Sequence, residues 1–215
     1  MRALGALLLA AAACTLPAVS AGQDAPTTAP GEPEEATLGL EASLYAYFPS
    51  DGQIYGQPTV AYDRGALHLE TRYNYEGLKT GSFWVGWNTS FGGDVQVDAT
   101  LMAGGVVGDE IKGVAPGYRL TVAWKKLELY SEGEYVVDVN HSENDFLYNW
   151  AQLGFYPLEW LSVGFASQRT RIYQTGLDVQ RGPYIGFSMH GVTMSVYVFN
   201  PDRHPTVVAA LAGSF

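Results

Sequence analysis

The chain has 215 residues, of which 47% are hydrophobic, 13% aromatic and only 16% charged, with 25 glycines and 14 tyrosines. That apolar and aromatic content excludes long-range disorder, the single cysteine excludes a disulfide scaffold, and beyond the N-terminus no apolar run approaches the roughly 18 residues of a spanning helix. The 12 basic and 22 acidic residues give a formal charge of −10, which argues against a nucleic-acid surface and against adhesion to anionic lipid through a basic face.

The first predicted element is an export signal over residues 1–21. Met1-Arg2 supplies a positive charge, Ala3 to Leu16 form an apolar run, Pro17 breaks it, and Val19-Ser20-Ala21 offers small residues for a cut after Ala21. Ala11-Ala12-Ala13-Cys14 resembles a lipoprotein processing box without the usual leucine before the small residues, so lipidation of Cys14 is the alternative. After a cut at Ala21 no cysteine remains, and with it no disulfide or thiol chemistry. Residues 22–36 are Pro-rich and acidic with no aromatic residue, and read as a disordered leader.

From Thr37 the pattern turns to period two. Leu38, Leu40, Ala42, Leu44, Ala46 and Phe48 alternate with Gly39, Glu41, Ser43, Tyr45 and Tyr47, long enough for the roughly 9–11 residues of a tilted strand crossing a bilayer. Leu67, Leu69, Thr71 and Tyr73 alternate likewise with His68, Glu70, Arg72 and Asn74, and Leu127, Leu129, Gly133, Tyr135 and Val137 with Glu128, Tyr130, Glu132 and Glu134. Turn signals at regular intervals divide 37–215 into twelve strands: 37–48, 53–63, 66–75, 79–89, 94–106, 113–124, 127–138, 144–156, 160–172, 182–190, 192–199 and 206–215. An even count puts both strand termini at one end, and ten strands are the alternative.

Two strands read poorly. In 144–156 both faces are apolar and Asn149 falls on the outer one; in 160–172, Leu161, Val163 and Phe165 share a face with Arg169 and Arg171. Either a bulge flips the register midway, or the arginines rise beyond the hydrocarbon. Tyr45, Tyr47, Phe48, Tyr73, Tyr75, Trp84, Trp87, Trp124, Trp150, Tyr156 and Trp160 near strand ends are expected to form two interfacial belts. Alternation alone also fits a soluble barrel with its apolar face inward.

The chain closes on Thr206-Val-Val-Ala-Ala-Leu-Ala-Gly-Ser-Phe215, in which Val207, Ala209, Leu211 and Phe215 share a face. This resembles the recognition signal on the last strand of bacterial outer-membrane β-barrels, with Gly213 where a larger apolar residue is common. The resemblance covers 37–215 in pattern and the last ten residues in motif. It implies an all-β, transmembrane, antiparallel up-and-down barrel in the outer membrane of a Gram-negative bacterium. Its partners would be outer-membrane lipid and lipopolysaccharide, the barrel-assembly machinery that reads the last strand, and small solutes; it would act as a monomer.

With the apolar faces in lipid, the predicted lumen holds Glu41, His68, Glu70, Arg72, Asp94, Asp98, Arg119, Lys125, Glu128, Glu132 and Glu134. Twelve strands leave room for a narrow pore, and the small residues Val208, Ala210, Ala212 and Ser214 on the inward face of the last strand add space. Pairing of acids with arginines across the interior would instead plug it. The architecture resembles narrow twelve-stranded, solute-specific porins. Those that carry acidic sugars have strongly basic lumens, unlike the acid excess here, so cations or neutral solutes are expected. In lipid, Leu69→Arg should be costly, while Glu70→Gln in the lumen should be tolerated.

Enzymatic readings find less support. Glu132 and Glu134 lie about 7 Å apart on one strand face, a spacing open to acid/base work, Ca²⁺ binding or a selectivity ring, with a solvated acidic face as the plainer alternative. His141-Ser142-Glu143 are consecutive in a loop and cannot converge as a triad; Gly186-Phe-Ser188-Met-His190-Gly191 lacks the spacing of a nucleophile elbow. No catalytic, metal or cofactor residues are assigned. The reading is a narrow passive channel or a structural barrel; the alternative is an outer-membrane lipid-modifying enzyme of deacylase or phospholipase type.

Overall fold

Strands that bury one face and offer the other to a different solvent can satisfy every backbone group by closing on themselves, and this chain does so. The computed structural model describes residues 38–109, 111–140, 144–172 and 178–215. The expected signal peptide with Cys14, the acidic leader and the His141-Ser142-Glu143 loop lie outside the described residues. The strands are β1 (Leu38–Pro49), β2 (Tyr55–Arg64), β3 (Leu67–Tyr73), β4 (Gly81–Gly92), β5 (Val95–Val107), β6 (Lys112–Trp124), β7 (Leu127–Asp138), β8 (Phe146–Leu158), β9 (Leu161–Ile172), β10 (Asp178–Met189), β11 (Val192–Phe199) and β12 (Thr206–Ser214). Each pairs antiparallel with its neighbour in sequence, and β1 pairs with β12, giving a closed twelve-stranded barrel with no free edge. The closing rungs extend to the Phe215 backbone, whose N–H donates to the Leu40 carbonyl at 2.8 Å and whose carbonyl accepts from the Leu40 N–H at 3.2 Å.

The polarity is that of a barrel in lipid rather than of a soluble one. Every strand contributes a large apolar side chain to the outside: Leu44, Val60, Leu67, Val85, Leu101, Val114, Leu129, Leu153, Phe165, Ile185, Val196 and Leu211 are all exposed. Leu101 is 70% exposed, whereas His68 and Glu70 are each 1% exposed. Phe48 and Tyr73 lie outside at one end of their strands; at the other end Trp124 closes β6 and Trp160 sits in the β8–β9 turn, both exposed.

The two ends differ. At the end shared by the strand termini the connections are two residues each (65–66, 93–94, 125–126, 159–160 and 190–191); at the other they run from four to seven. The tight turns need positive φ to match strand twist, and His190 (52°) and Gly191 (78°) supply it consecutively.

Both poorly reading strands resolve. The β8–β9 register is uninterrupted from Phe146↔Ile172 to Phe155↔Val163, and its one irregularity lies between Phe155 and Leu158, beside Pro157. No bulge flips the middle of β9, so Arg169 stays on the outer face, exposed, near the loop end. In β8, Phe146, Tyr148 and Trp150 are buried inside while Leu147, Leu153 and Phe155 face out. Asn149 on the outer face is satisfied within the wall, donating to Tyr118 Oη (2.9 Å) and the Glu132 carbonyl (2.9 Å). β10 begins at Asp178 rather than at 182, because residues 178–181 pair with Ser167–Thr170 of β9. The expected aromatic belts need a larger correction: Tyr45, Tyr47, Tyr75, Trp84 and Trp150 pack inside. For Tyr45, Tyr47, Trp84 and Trp150 parity dictates the polar face of the alternation, and nearness to a strand end does not override it; Tyr75 has the outward parity of Tyr73 and comes inside only because the β3–β4 connection carries it there.

Candidate functional site

The interior gathers a connected set of charged groups, which converge from β2, β3, β6 and β7. His68 lies between two acids, with Nδ1 at 2.8 Å from Asp63 and Nε2 at 3.1 Å from Glu70, and Asn88 donates to Asp63 at 2.6 Å. Glu70 also receives the Arg72 and Arg119 guanidiniums. Arg72 spans the lumen to donate from Nη1 to Glu134 at 2.7 Å, with its plane over the Tyr75 ring (4.3 Å) and the Trp84 ring (4.7 Å). Glu132 accepts from the hydroxyls of Tyr75 and Tyr130, the latter at 2.6 Å, with Arg119 Nε 3.7 Å away. A guanidinium suits such a position because its planar fork serves several carboxylates at once.

Trp84 shows how the wall accommodates this cluster. Its indole lies against Gly104 and Gly117; a Cβ at Gly117 would sit 2.9 Å from the ring, and one at Gly104 would overlap it. Two glycines on adjacent strands thus make the hollow that lets Trp84 carry Arg72. On the outer side the β6–β7 ladder skips Ala115 and Pro116, resuming at Gly117↔Glu134, since proline has no N–H to donate.

The remaining wall, β8 to β12 with β1, is aromatic. Trp150 meets Tyr45, Tyr197 and Phe199 edge-on with centroids 5.9, 5.2 and 5.4 Å apart, and Tyr184 stacks on Tyr197 at 5.2 Å. Two of the hydroxyls meet glutamines: Tyr47 donates to Gln168 (3.2 Å) and Tyr197 to Gln152 (3.0 Å). Val208 and Ala210, expected to leave space on the last strand, are buried, while Ala212 lines a cavity at the terminus end.

The interior is divided. A cavity of about 360 Å³ at the terminus end is lined by Glu41, Asp63, His68, Asp98, Arg119 and Glu132 among others. A second, of about 420 Å³ at the loop end, is lined by Tyr55, Gln57, Tyr75, Glu76, Phe146 and Tyr148 among others. Tyr75 lines both; its hydroxyl on Glu132 and its edge contact with Tyr148 (5.2 Å) form the partition. Tyr75 and Glu76 belong to the β3–β4 connection rather than to the wall.

Of the residues expected in the lumen, His68, Glu70, Arg72, Arg119, Glu132 and Glu134 form one connected cluster. Glu41 and Asp98 line the terminus-end cavity. Glu128 points inward near that end and accepts from Tyr156 at 2.8 Å. Asp94 and Lys125 fall in two-residue turns, exposed, with the Lys125 ammonium over the Trp124 ring at 4.8 Å. Glu70 is too heavily engaged for the expected tolerance of Glu70→Gln to stand: one carboxylate serves two guanidiniums and an imidazole. Val207, Ala209, Leu211 and Phe215 all present to the outside, and the Phe215 ring lies beside Gly213. Ser188 bonds Thr193 Oγ1 at 2.9 Å, not the exposed His190 in the turn. Asp63, Glu76, Tyr75 and Tyr130 were not anticipated: Asp63 and Glu76 read as turn residues, and only the parity of Tyr130 with Glu128 marked it as inward.

No protein-family model matches the chain, and no curated protein matches it. Among solved structures, the chain is similar to the KdgM porin (10% identity, TM-score 0.56, 81% of this chain and 99% of that one). A KdgM porin structure in complex with disordered oligogalacturonate matches at 8% identity and TM-score 0.54, over 81% and 99% of the two chains. The NanC porin matches at 7% identity and TM-score 0.52, over 83% and 99%. At these identities the likeness is one of fold, a closed twelve-stranded antiparallel barrel.

Proposed function

We propose that the protein is an outer-membrane barrel acting as a narrow passive channel for small cationic or neutral solutes. Residues 1–21 would direct export, and the barrel would sit in outer-membrane lipid and lipopolysaccharide as a monomer. The short turns would face the periplasm and the longer loops the exterior, as in bacterial barrels generally. Assembly would depend on the outward face of β12, with Val207, Ala209, Leu211 and Phe215. The observation that carries the channel reading is the pair of cavities stacked along the barrel axis and separated by Tyr75, a residue on a connecting loop that can move without breaking a strand ladder. The sign of the solute follows from Glu70, Glu76, Glu132 and Glu134, which outnumber Arg72 and Arg119 at mid-barrel. A channel for an acidic chain such as the oligogalacturonate in the KdgM structure would need the reverse balance.

The test is conductance of the refolded protein in planar bilayers under a salt gradient, with Tyr75→Ala alongside. Cation-selective current that rises in Tyr75→Ala supports the reading. Silence in both points to the second reading, a structural barrel, which the closed partition favours. For location, deleting Phe215 should reduce heat-modifiable barrel in the outer-membrane fraction; normal assembly without it would remove the terminal-strand argument.

A further inference from the structure

The loop-end cavity is lined by a carboxylate, Glu76, that no cation balances among the described residues. Four carboxylates at mid-barrel (Glu70, Glu76, Glu132 and Glu134) face two guanidiniums, Arg72 and Arg119, both committed to Glu70, Glu132 and Glu134. Glu76 receives no cation among the described residues: its Oε1 accepts from the Ser82 hydroxyl, and its Oε2 is buried without a hydrogen-bond partner. Glu134 gives Oε2 to Arg72, and its Oε1 too is buried and unpartnered. Glu76 and Glu134 are only 9% and 4% exposed. A buried carboxylate oxygen without a donor is costly, and the Glu76 oxygen belongs to a residue that lines the cavity, so a cationic donor entering there would satisfy it. The walls above are aromatic and already ordered: Tyr55 stacks on Tyr47 at 4.7 Å and Tyr148 meets Tyr75 edge-on. Phe146 and Ile111 complete an apolar side, with Gln57 and Gln168 as polar exceptions. Electron-rich ring faces beside a carboxylate are the chemistry that recognises an organic cation.

We propose that the loop-end cavity is a binding site for a small organic cation, a primary ammonium on an apolar or aromatic body. The ammonium donates to the Glu76 carboxylate, and the body lies among Tyr55, Phe146 and Tyr148. This deepens the channel reading by naming the solute class at the same interior. It differs from a general preference for cations in requiring the apolar body, because a hydrated metal ion gains nothing from Tyr55 and Phe146.

The experiment titrates benzylammonium, benzyl alcohol and benzoate into the refolded full chain in detergent, followed by calorimetry. Wild type is compared with Glu76→Gln, Tyr55→Ala and Asp109→Asn. Gln keeps the carbonyl that accepts from Ser82, and Asp109 is an exposed acid on a loop at the same end. Heat modifiability on gels verifies folding of each. Benzylammonium should bind best of the three, and Glu76→Gln should weaken it about tenfold or more, the scale of one hydrogen bond to a charged group. Tyr55→Ala should weaken it less, and Asp109→Asn should leave it unchanged. Equal binding of benzyl alcohol, preference for benzoate, indifference to Glu76→Gln, or displacement by potassium at equal concentration would each overturn the proposal. Because binding is read without current, a protein that binds but does not conduct topples the channel reading alone, and one that conducts but does not bind topples this one alone.

Discussion

The wall made by β2 to β7 and the wall made by β8 to β12 with β1 face each other across one interior, yet different physics orders them. The first is held by directional contacts between full charges that link strands: Arg72 reaches from β3 to Glu134 on β7, and Arg119 from β6 to Glu70 on β3. The second is held by ring contacts, several of them among Tyr45, Trp150, Tyr184, Tyr197 and Phe199, with the Tyr47 and Tyr197 hydroxyls donated to glutamines. Removing one member of the charged wall strands its neighbours in a dry site, whereas trimming the aromatic wall leaves a gap that water or a solute can fill. The charged wall should therefore be brittle and the aromatic wall tolerant.

The largest expected effect tests the brittle side. Arg72→Ala leaves Glu70 and Glu134 buried beside each other's charge, and breaking a buried pair in this way costs about 3–5 kcal/mol. Urea unfolding in liposomes, followed by tryptophan fluorescence, should show it. Combining Arg72→Met with Glu134→Gln should recover part of the loss, since Glu70 keeps Arg119 and His68. If the double variant is no better than the single one, stranded charge is not the cause.

Next in size is Leu69→Arg, which puts a charge on the outer face between the two most buried acid–base residues of β3. About 2–4 kcal/mol is expected for a position near the bilayer midplane, read by the same unfolding experiment. A mild effect at Leu69 would mean that this part of β3 lies outside hydrocarbon, and the inside–outside assignment would have to be redrawn.

Replacing Glu132 and Glu134 together by Gln should move the reversal potential of any conducting state toward anions, because Arg72 and Arg119 would then dominate a narrow, low-dielectric passage. The shift should shrink as salt rises and the roughly 10 Å screening length at 0.1 M shortens. A reversal potential that ignores both changes would take these residues out of the pathway.

The smallest effect belongs to the aromatic wall. Tyr197→Phe deletes only the hydroxyl donated to Gln152, and about 1 kcal/mol is the ordinary worth of such a bond. A loss as large as that of Arg72→Ala would erase the distinction between the walls.

Alternation along single strands is enough to read the barrel, because period two depends only on a residue and its own neighbours. It places His68, Glu70 and Arg72 inside and Leu67 and Leu69 outside without any knowledge of pairing. Which inward residues meet is a different kind of information. Arg72 and Glu134 touch because β3 and β7 curve toward each other across the closed cylinder, and no local pattern encodes that distance. Glu76 is hidden for another reason: beside Gly77 it has the composition of a turn, and only the inward course of the β3–β4 connection makes it a cavity residue. Asp94 and Lys125 show the converse, charges that continue an alternation past the point where the strand has turned. The inward aromatic residues on strands, such as Tyr45, Trp84 and Trp150, are legible by parity but obscured by the expectation that Trp and Tyr near strand ends belong to lipid interfaces, whereas Tyr75 is inward only through the course of the β3–β4 connection.

The seam between β1 and β12 also has a kinetic meaning. The rungs that run from Pro49↔Thr206 to the Phe215 backbone on Leu40 join the first described strand to the last, so they close the longest loop in the molecule. Contacts of such separation form late and slowly. Until they do, the sheet carries two raw edges able to pair with any other extended chain, including another copy of itself. Yield of the barrel should then depend less on how stable the finished cylinder is than on how long those two edges wait for each other.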